Sequence, residues 1–209
     1  MKKTILTIVL LLSALLLRAD SRSQEILRKM AAAFNGYGSY KIEFTATMAG
    51  EFIDLPGVLI VSGEKYYLDV SDSKVFFDGR NGYTYSESNR EVIIETPDPD
   101  DNRLFANPAK IFQVYEQDFT SVYKGTTIIG GKHLSEIELT PKSSDAGYNK
   151  VTLYADPAGA PGRLVYHLSE YGKSMVLNVV RITPNPPVTN NTFRFDPARH
   201  PGVEVIDFR

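Results

Sequence analysis

The chain has 209 residues, 43% of them hydrophobic and 23% charged, with a formal net charge of −2 and no cysteine. A chain of this length can bury a core without disulfides, and its faint acidity offers no footing to a polyanion or to an anionic membrane. Nucleic-acid binding is therefore not expected, and neither is lipid attachment to the chain itself, which would need a cysteine.

Lys2 and Lys3 precede an uncharged, mostly apolar run from Thr4 to Leu17, which ends at Arg18-Ala19-Asp20. The run is about 14 residues long, short of the ~20 that a membrane-crossing helix needs. Residues 1–19 thus read as a cleavable secretory signal, with cleavage after Ala19, and residues 20–209 as one exported domain. Loss of Lys2, Lys3 and Arg18 leaves 20 basic residues against 25 acidic ones, a net charge of −5.

Ser21 to Ser23 can cap a helix in which Ile26, Leu27, Met30, Ala33 and Phe34 form one apolar face, and Asn35-Gly36-Tyr37-Gly38 ends it through the left-handed freedom of glycine. From Ser39 the period becomes two. Tyr40, Ile42, Phe44, Ala46 and Met48 alternate with polar residues, as a half-buried strand does. Strand-like runs follow at Gly57–Val61, Lys65–Val70, Lys74–Phe77, Gly82–Tyr85 and Glu91–Glu95, separated by turn signals such as Ser62-Gly63 and Asp78-Gly79. Between Thr96 and Thr120 the prolines Pro97 and Pro99 exclude a sheet, and Asn107-Pro108 reads as a helix start. There Phe105, Ile111, Phe112, Tyr115 and Phe119 could line one side of one or two short helices. Strands resume at Ser121–Ile129, His133–Thr140, Asn149–Tyr154, Leu164–Ser169, Ser174–Ile182, Asn191–Phe195 and Val203–Phe208.

About a dozen antiparallel strands must curl or close, and their concave face must be filled. Helices are the filler at hand, one at the start and one or two in the middle. The fold expected is mainly β with a few helices (α+β), an incomplete antiparallel β-barrel of about 11–12 strands whose helices form a lid over an apolar cavity. The 12 Tyr and 11 Phe are explained most simply by an ordinary core and cross-strand pairs, since strands favour aromatics.

Four stretches, taken in order, resemble the LolA family of periplasmic lipoprotein carriers: Gly57–Asp69, Phe77–Tyr85, Glu138–Lys142, and Phe193–Pro197 with Gly202–Asp207. The resemblance implies a half-barrel with a helical lid over an acyl-chain cavity. It implies Ile60, Tyr66, Leu68, Tyr83 and Tyr85 as cavity wall and Phe105, Ile111, Phe112 and Tyr115 as lid. It also implies three kinds of partner: acylated lipoproteins, an inner-membrane ABC-type exporter and an outer-membrane acceptor. One feature departs from the family, whose members commonly carry an Arg-Pro pair where this chain has Ser62-Gly63, the Arg being thought to fasten the lid. Lys65 and Arg103 are the cations at hand to replace it.

Enzyme chemistry is not expected. His133, His167 and His200 stand alone without metal-ligand spacing, and phosphate loops and nucleophile elbows are missing. Asp98, Asp100 and Asp101 lie in a proline-interrupted loop that lacks the Glu of a calcium loop. No cofactor or metal is expected, and a monomer is, because a permanent interface at the cavity mouth would block transfer. Two rival readings stay open: a general periplasmic binder of lipids or other hydrophobic ligands on the same fold, and a periplasmic hydrolase assembled from distant residues.

Overall fold

The computed structural model describes residues 22–98, 101, 108, 112, 118–144, 146–169 and 172–209. The proposed signal, residues 1–19, lies outside these, as do Phe105, Ile111, Tyr115 and Arg103. No helix among the described residues is long and apolar enough to cross a membrane.

Helix α1 spans 22–35. Its buried face is Ile26, Leu27, Met30 and Phe34, in the spacing read from the sequence, and Ser23 bonds Ser121 across it at 2.9 Å. Gly36 closes the last turn, its N–H donating to Ala32 O at 3.0 Å. Neither Gly36 nor Gly38 has a positive φ, so the helix ends without the left-handed residue expected there.

Twelve strands follow: β1 (Tyr40–Met48), β2 (Leu55–Ser62), β3 (Lys65–Val70), β4 (Ser73–Phe77), β5 (Gly82–Ser86), β6 (Glu91–Glu95), β7 (Phe119–Ile129), β8 (Lys132–Pro141), β9 (Tyr148–Ala155), β10 (Pro161–Leu168), β11 (Ser174–Pro184) and β12 (Glu204–Asp207). They form one open sheet in the order β12-β6-β5-β4-β3-β2-β1-β11-β10-β9-β8-β7. Two meanders, β1–β6 and β7–β11, thus meet where β1 pairs antiparallel with β11, and β7 and β12 are left as edges. One pairing departs from the antiparallel expectation, since β12 runs parallel to β6. The chain reaches it by crossing the sheet's outer face from β11, and a return by that route arrives in the same direction as β6.

Two sequence assignments change. Asn191–Phe195, read as a strand, lies largely in a 3-10 turn at Asn190–Phe193. There Thr192 Oγ1 accepts from the Thr189 N–H at 3.1 Å, a local bond that competes with a strand ladder. Phe119, read as a helical residue, opens β7.

Register decides which side chains share a face. One row, Ile42–Leu59–Leu68–Val75, runs across β1 to β4, and a second, Ala46–Leu177–Leu164–Leu153–Ile137, runs from β1 through β11 to β8. Both belong to the main core with α1, and the face they share is the concave face. The opposite, convex face carries the row Lys41–Ile60–Tyr67–Phe76–Tyr83–Ile94. Over β3 to β6 it is covered by the C-terminal segment, giving a separate cluster of Tyr83, Tyr85, Val92, Ile94 and Phe195.

α1 lies against the β9–β10 turn. Gly159 there has φ +90, and a Cβ on it would stand 2.7 Å from the Met30 nitrogen. Glycine is required twice over, by its backbone angle and by the closeness of the helix.

Candidate functional site: an apolar cavity on the concave face

At the junction of the two meanders Ile42, Phe44, Leu59, Leu68, Leu164, Leu177 and Val179 surround a cavity, and Pro108 and Phe112 complete its lining. Every lining residue is apolar. The free space is only about 30 Å³, close to one water's share of liquid and far below the ~300–1,000 Å³ of ligand pockets. The chain's own side chains therefore fill the space. Phe112, buried to 4% exposure, stacks on Phe34 of α1 with ring centroids 4.8 Å apart and planes 15° apart, and Phe34 meets Tyr40 edge-on at 4.9 Å. Phe112 thus packs directly on the helix.

Close packing here depends on a missing side chain. A Cβ on Gly57 would fall 2.4 Å from the Phe44 ring. Gly57 is the cross-strand partner of Phe44, so the ring lies flat over it and takes part in the cavity wall.

The phenols beside the cavity are held neutral. Burial, with Glu95 adding to it, pushes the Tyr66 hydroxyl up to about 12, and burial raises Tyr166 further. Desolvation disfavours the phenolate in such surroundings, so the face presents no charge to a guest. Among the described residues no group of three or more His, Cys, Asp or Glu is placed to hold a metal ion.

The wall residues named from the sequence divide between the two faces. Leu68 lines the cavity, and Tyr66 belongs to the same core, packed on Phe77 at 5.5 Å. Ile60, Tyr83 and Tyr85 are corrections, because all three stand on the convex face. Ile60 pairs with Tyr67 while Leu59 turns inward, and Tyr83 and Tyr85 pack in the cluster with Phe195. The causes differ. Val58 to Val61 is an unbroken apolar run, so β2 shows no polar side by which to set the phase, whereas β5 alternates Tyr83 and Tyr85 with Thr84 and Ser86 but turns its aromatic side to the C-terminal segment. Of the residues expected in a lid, Phe112 is described, and it lines the cavity.

The absent Arg-Pro pair also has a structural counterpart. Ser62 and Lys65 close β2 on β3, Gly63 turns at φ 58, and Ser62 Oγ donates to Gly38 O at 3.3 Å. Lys65 does not replace the missing Arg at the cavity; its Nζ donates to Asn190 Oδ1 at 2.9 Å, in the C-terminal segment.

No protein-family model and no curated protein matches the chain. Solved structures do. An uncharacterized conserved protein from Thermus thermophilus superposes with a TM-score of 0.58 at 13% identity, over 88% of this chain and 98% of that one. The chain shares its fold. A DUF1329 family protein from Desulfovibrio piger follows with a TM-score of 0.50 at 10% identity, over 84% and 97% of the two chains. The structural neighbours also include a LolA superfamily protein from Nitrosomonas europaea, with a TM-score of 0.45 at 13% identity over 83% and 98%.

Proposed function

We propose that the protein is a periplasmic carrier that takes the acyl chains of lipoproteins into its concave face and passes them from the inner to the outer membrane. The observation that carries this reading is the cavity at the β1–β11 junction, lined only by apolar side chains, Phe112 and Pro108 among them. The ordered resemblance of four stretches to LolA proteins supports it.

The physics of the task favours such a site. Each buried CH₂ of an acyl chain gains ~0.8 kcal/mol, so chains released into water would cost tens of kcal/mol. A carrier must accept them and still surrender them, which suits non-directional contacts. Phe112 acts as an internal stand-in for the acyl chain: it fills the apolar space when the carrier is empty and leaves when the chain enters. The two states then differ by an exchange of like for like, and the balance can tip at either membrane.

On this reading the chain reaches the periplasm by its cleavable signal and works as a monomer. It receives cargo from an ATP-driven inner-membrane exporter and delivers it to an outer-membrane acceptor. A general lipid binder on the same fold is the second reading, favoured by a lining with no polar group to recognise the peptide part of a lipoprotein.

Expression of the full-length chain in a bacterium with two membranes, purification without detergent, and native mass spectrometry separate these readings. A bound triacylated lipoprotein is the expected result. Bound free lipid in its place would transfer the protein to the second reading, and an empty protein that takes up neither would refute both.

A further inference from the structure

The convex face holds a second and larger pocket, of about 610 Å³, that the carrier reading does not use. Its floor is part of one register row across β3 to β6, Tyr67–Phe76–Tyr83–Ile94, and Phe195 adds a ring 6.0 Å from Phe76. The wall is the returning C-terminal segment. Arg90 Nη2 donates to Pro201 O at 2.6 Å and β12 pairs with β6, while His200 stacks on Phe195 at 4.7 Å and meets Tyr85 at a tilt at 4.6 Å. This pocket is therefore built by tertiary contacts on every side, and its volume lies in the range of small-molecule sites.

Its rim is cationic. Lys74, Arg194, Arg199 and Arg209 line it, with Asp196 as the acidic side chain among the lining residues; Asp69 and Glu87 act on Lys74 from beside it, and Asp78 and Asp207 on Arg209. Three of the four cations are already matched, though unequally. Lys74 pairs with Glu87 at 2.6 Å, and Arg209 grips Asp207 with two bonds of 2.9 and 2.5 Å, holding that carboxyl at about 2. Arg199 meets Asp196 loosely, at 3.4 Å and with 73% of its side chain exposed. Arg194 has no hydrogen bond or ion pair among the described residues, and its charge acts on the neighbouring Tyr83 hydroxyl. The floor hydroxyls are committed as donors, Tyr67 to Asp69 at 2.8 Å and Tyr83 to Asp78 at 3.0 Å. What remains on offer is one uncompensated guanidinium, one loosely held one, and an aromatic floor.

We propose that this pocket binds a small amphiphile that carries one anionic head group, a carboxylate or phosphate, on an aromatic or apolar body. Arg194, with Arg199, takes the head group, since a planar guanidinium presents paired donors that match such oxygens. The body lies on Phe76, Tyr83 and Phe195. A polyanion does not fit, because the acids at Lys74 and Arg209 leave charge for about one head group only.

Chemical-shift titrations of the exported protein with phenyl phosphate, benzoate, inorganic phosphate and benzyl alcohol test this. Phenyl phosphate, benzoate or both should saturate with a Kd below about 1 mM, shifting Tyr83 and Phe195, while inorganic phosphate and benzyl alcohol bind at least about tenfold more weakly. Whichever of the two anions binds identifies the head group. Arg194→Gln, an exposed change, should weaken binding about tenfold with the thermal midpoint unmoved, and added salt should weaken it as well. The proposal is overturned if neither aromatic anion saturates, if Arg194→Gln binds as tightly as the parent, or if the shifts fall on Phe44 and Leu59 of the concave cavity.

Discussion

On the concave side of the sheet Ile42, Leu59, Leu68 and Leu177 line one cavity with Phe112 and no polar side chain, while on the convex side Tyr67 and Tyr83 give their hydroxyls to Asp69 and Asp78. The same backbone therefore carries two kinds of surface. A cavity lined only by apolar side chains can exchange one filler for another at little cost. A face whose aromatics are tethered and backed by the returning chain end is fixed in shape, and suits a guest with a defined charge. The two functions proposed follow from that difference, and each can be disturbed without the other.

The largest effect is expected on the convex side. Phe195→Ala removes a ring that is 3% exposed and contacts Phe76, Tyr85 and His200, which should cost about 3–5 kcal/mol in urea unfolding. Uptake of acyl chains should survive in the fraction that remains folded; parallel loss of acyl binding by the folded protein would show that the faces are not independent. Gly159→Ala acts from the concave side, forcing a Cβ against the Met30 nitrogen at a backbone angle that L residues avoid. It should cost about 1–3 kcal/mol and loosen α1, seen as faster amide exchange in 22–35. Unchanged exchange there would mean that the β9–β10 turn does not hold the helix.

A smaller effect belongs to pH. His167 accepts or donates at Thr152 Oγ1 and Ser174 Oγ, at 3.2 and 3.3 Å, and its pKa is lowered from 6.5 by burial first and then by Lys150. The folded state thus disfavours the protonated ring, so this contribution is whole above about pH 6.5 and fades as pH falls toward the lower folded value. His167→Gln should flatten the decline in stability between about pH 7 and pH 5. An equally steep decline in the variant would assign it to the carboxylates.

Sequence periodicity was sufficient for most of the ladder, because period-two alternation with turn signals is a local property. Lys65–Val70 and Glu91–Glu95 have the bounds read for them. Phase was not legible for Ile60 in the unbroken apolar run of β2, and for Tyr83 and Tyr85 the alternation of β5 was legible but the segment that buries its aromatic side was not. The parallel arrival of β12 and the junction of β1 with β11 are long-range pairings, and no local pattern reports them. The aromatic floor beneath Arg194 was hidden for the same reason: its residues come from four separate strands and the chain end, and only register brings them into one row. Phe193-Arg194-Phe195 was visible as a motif, but an arginine between two phenylalanines reads as ordinary alternation until the segment is seen to cross the sheet.

On the carrier reading proposed above, Phe112 occupies the place of an acyl chain and leaves when one arrives. The chain contains no Trp, so Phe112→Trp introduces a single indole reporter at that position. The account predicts blue-shifted emission in the empty protein and a red shift, saturating at one equivalent, when a triacylated lipoprotein is added. A ligand that binds while the emission stays blue would contradict it.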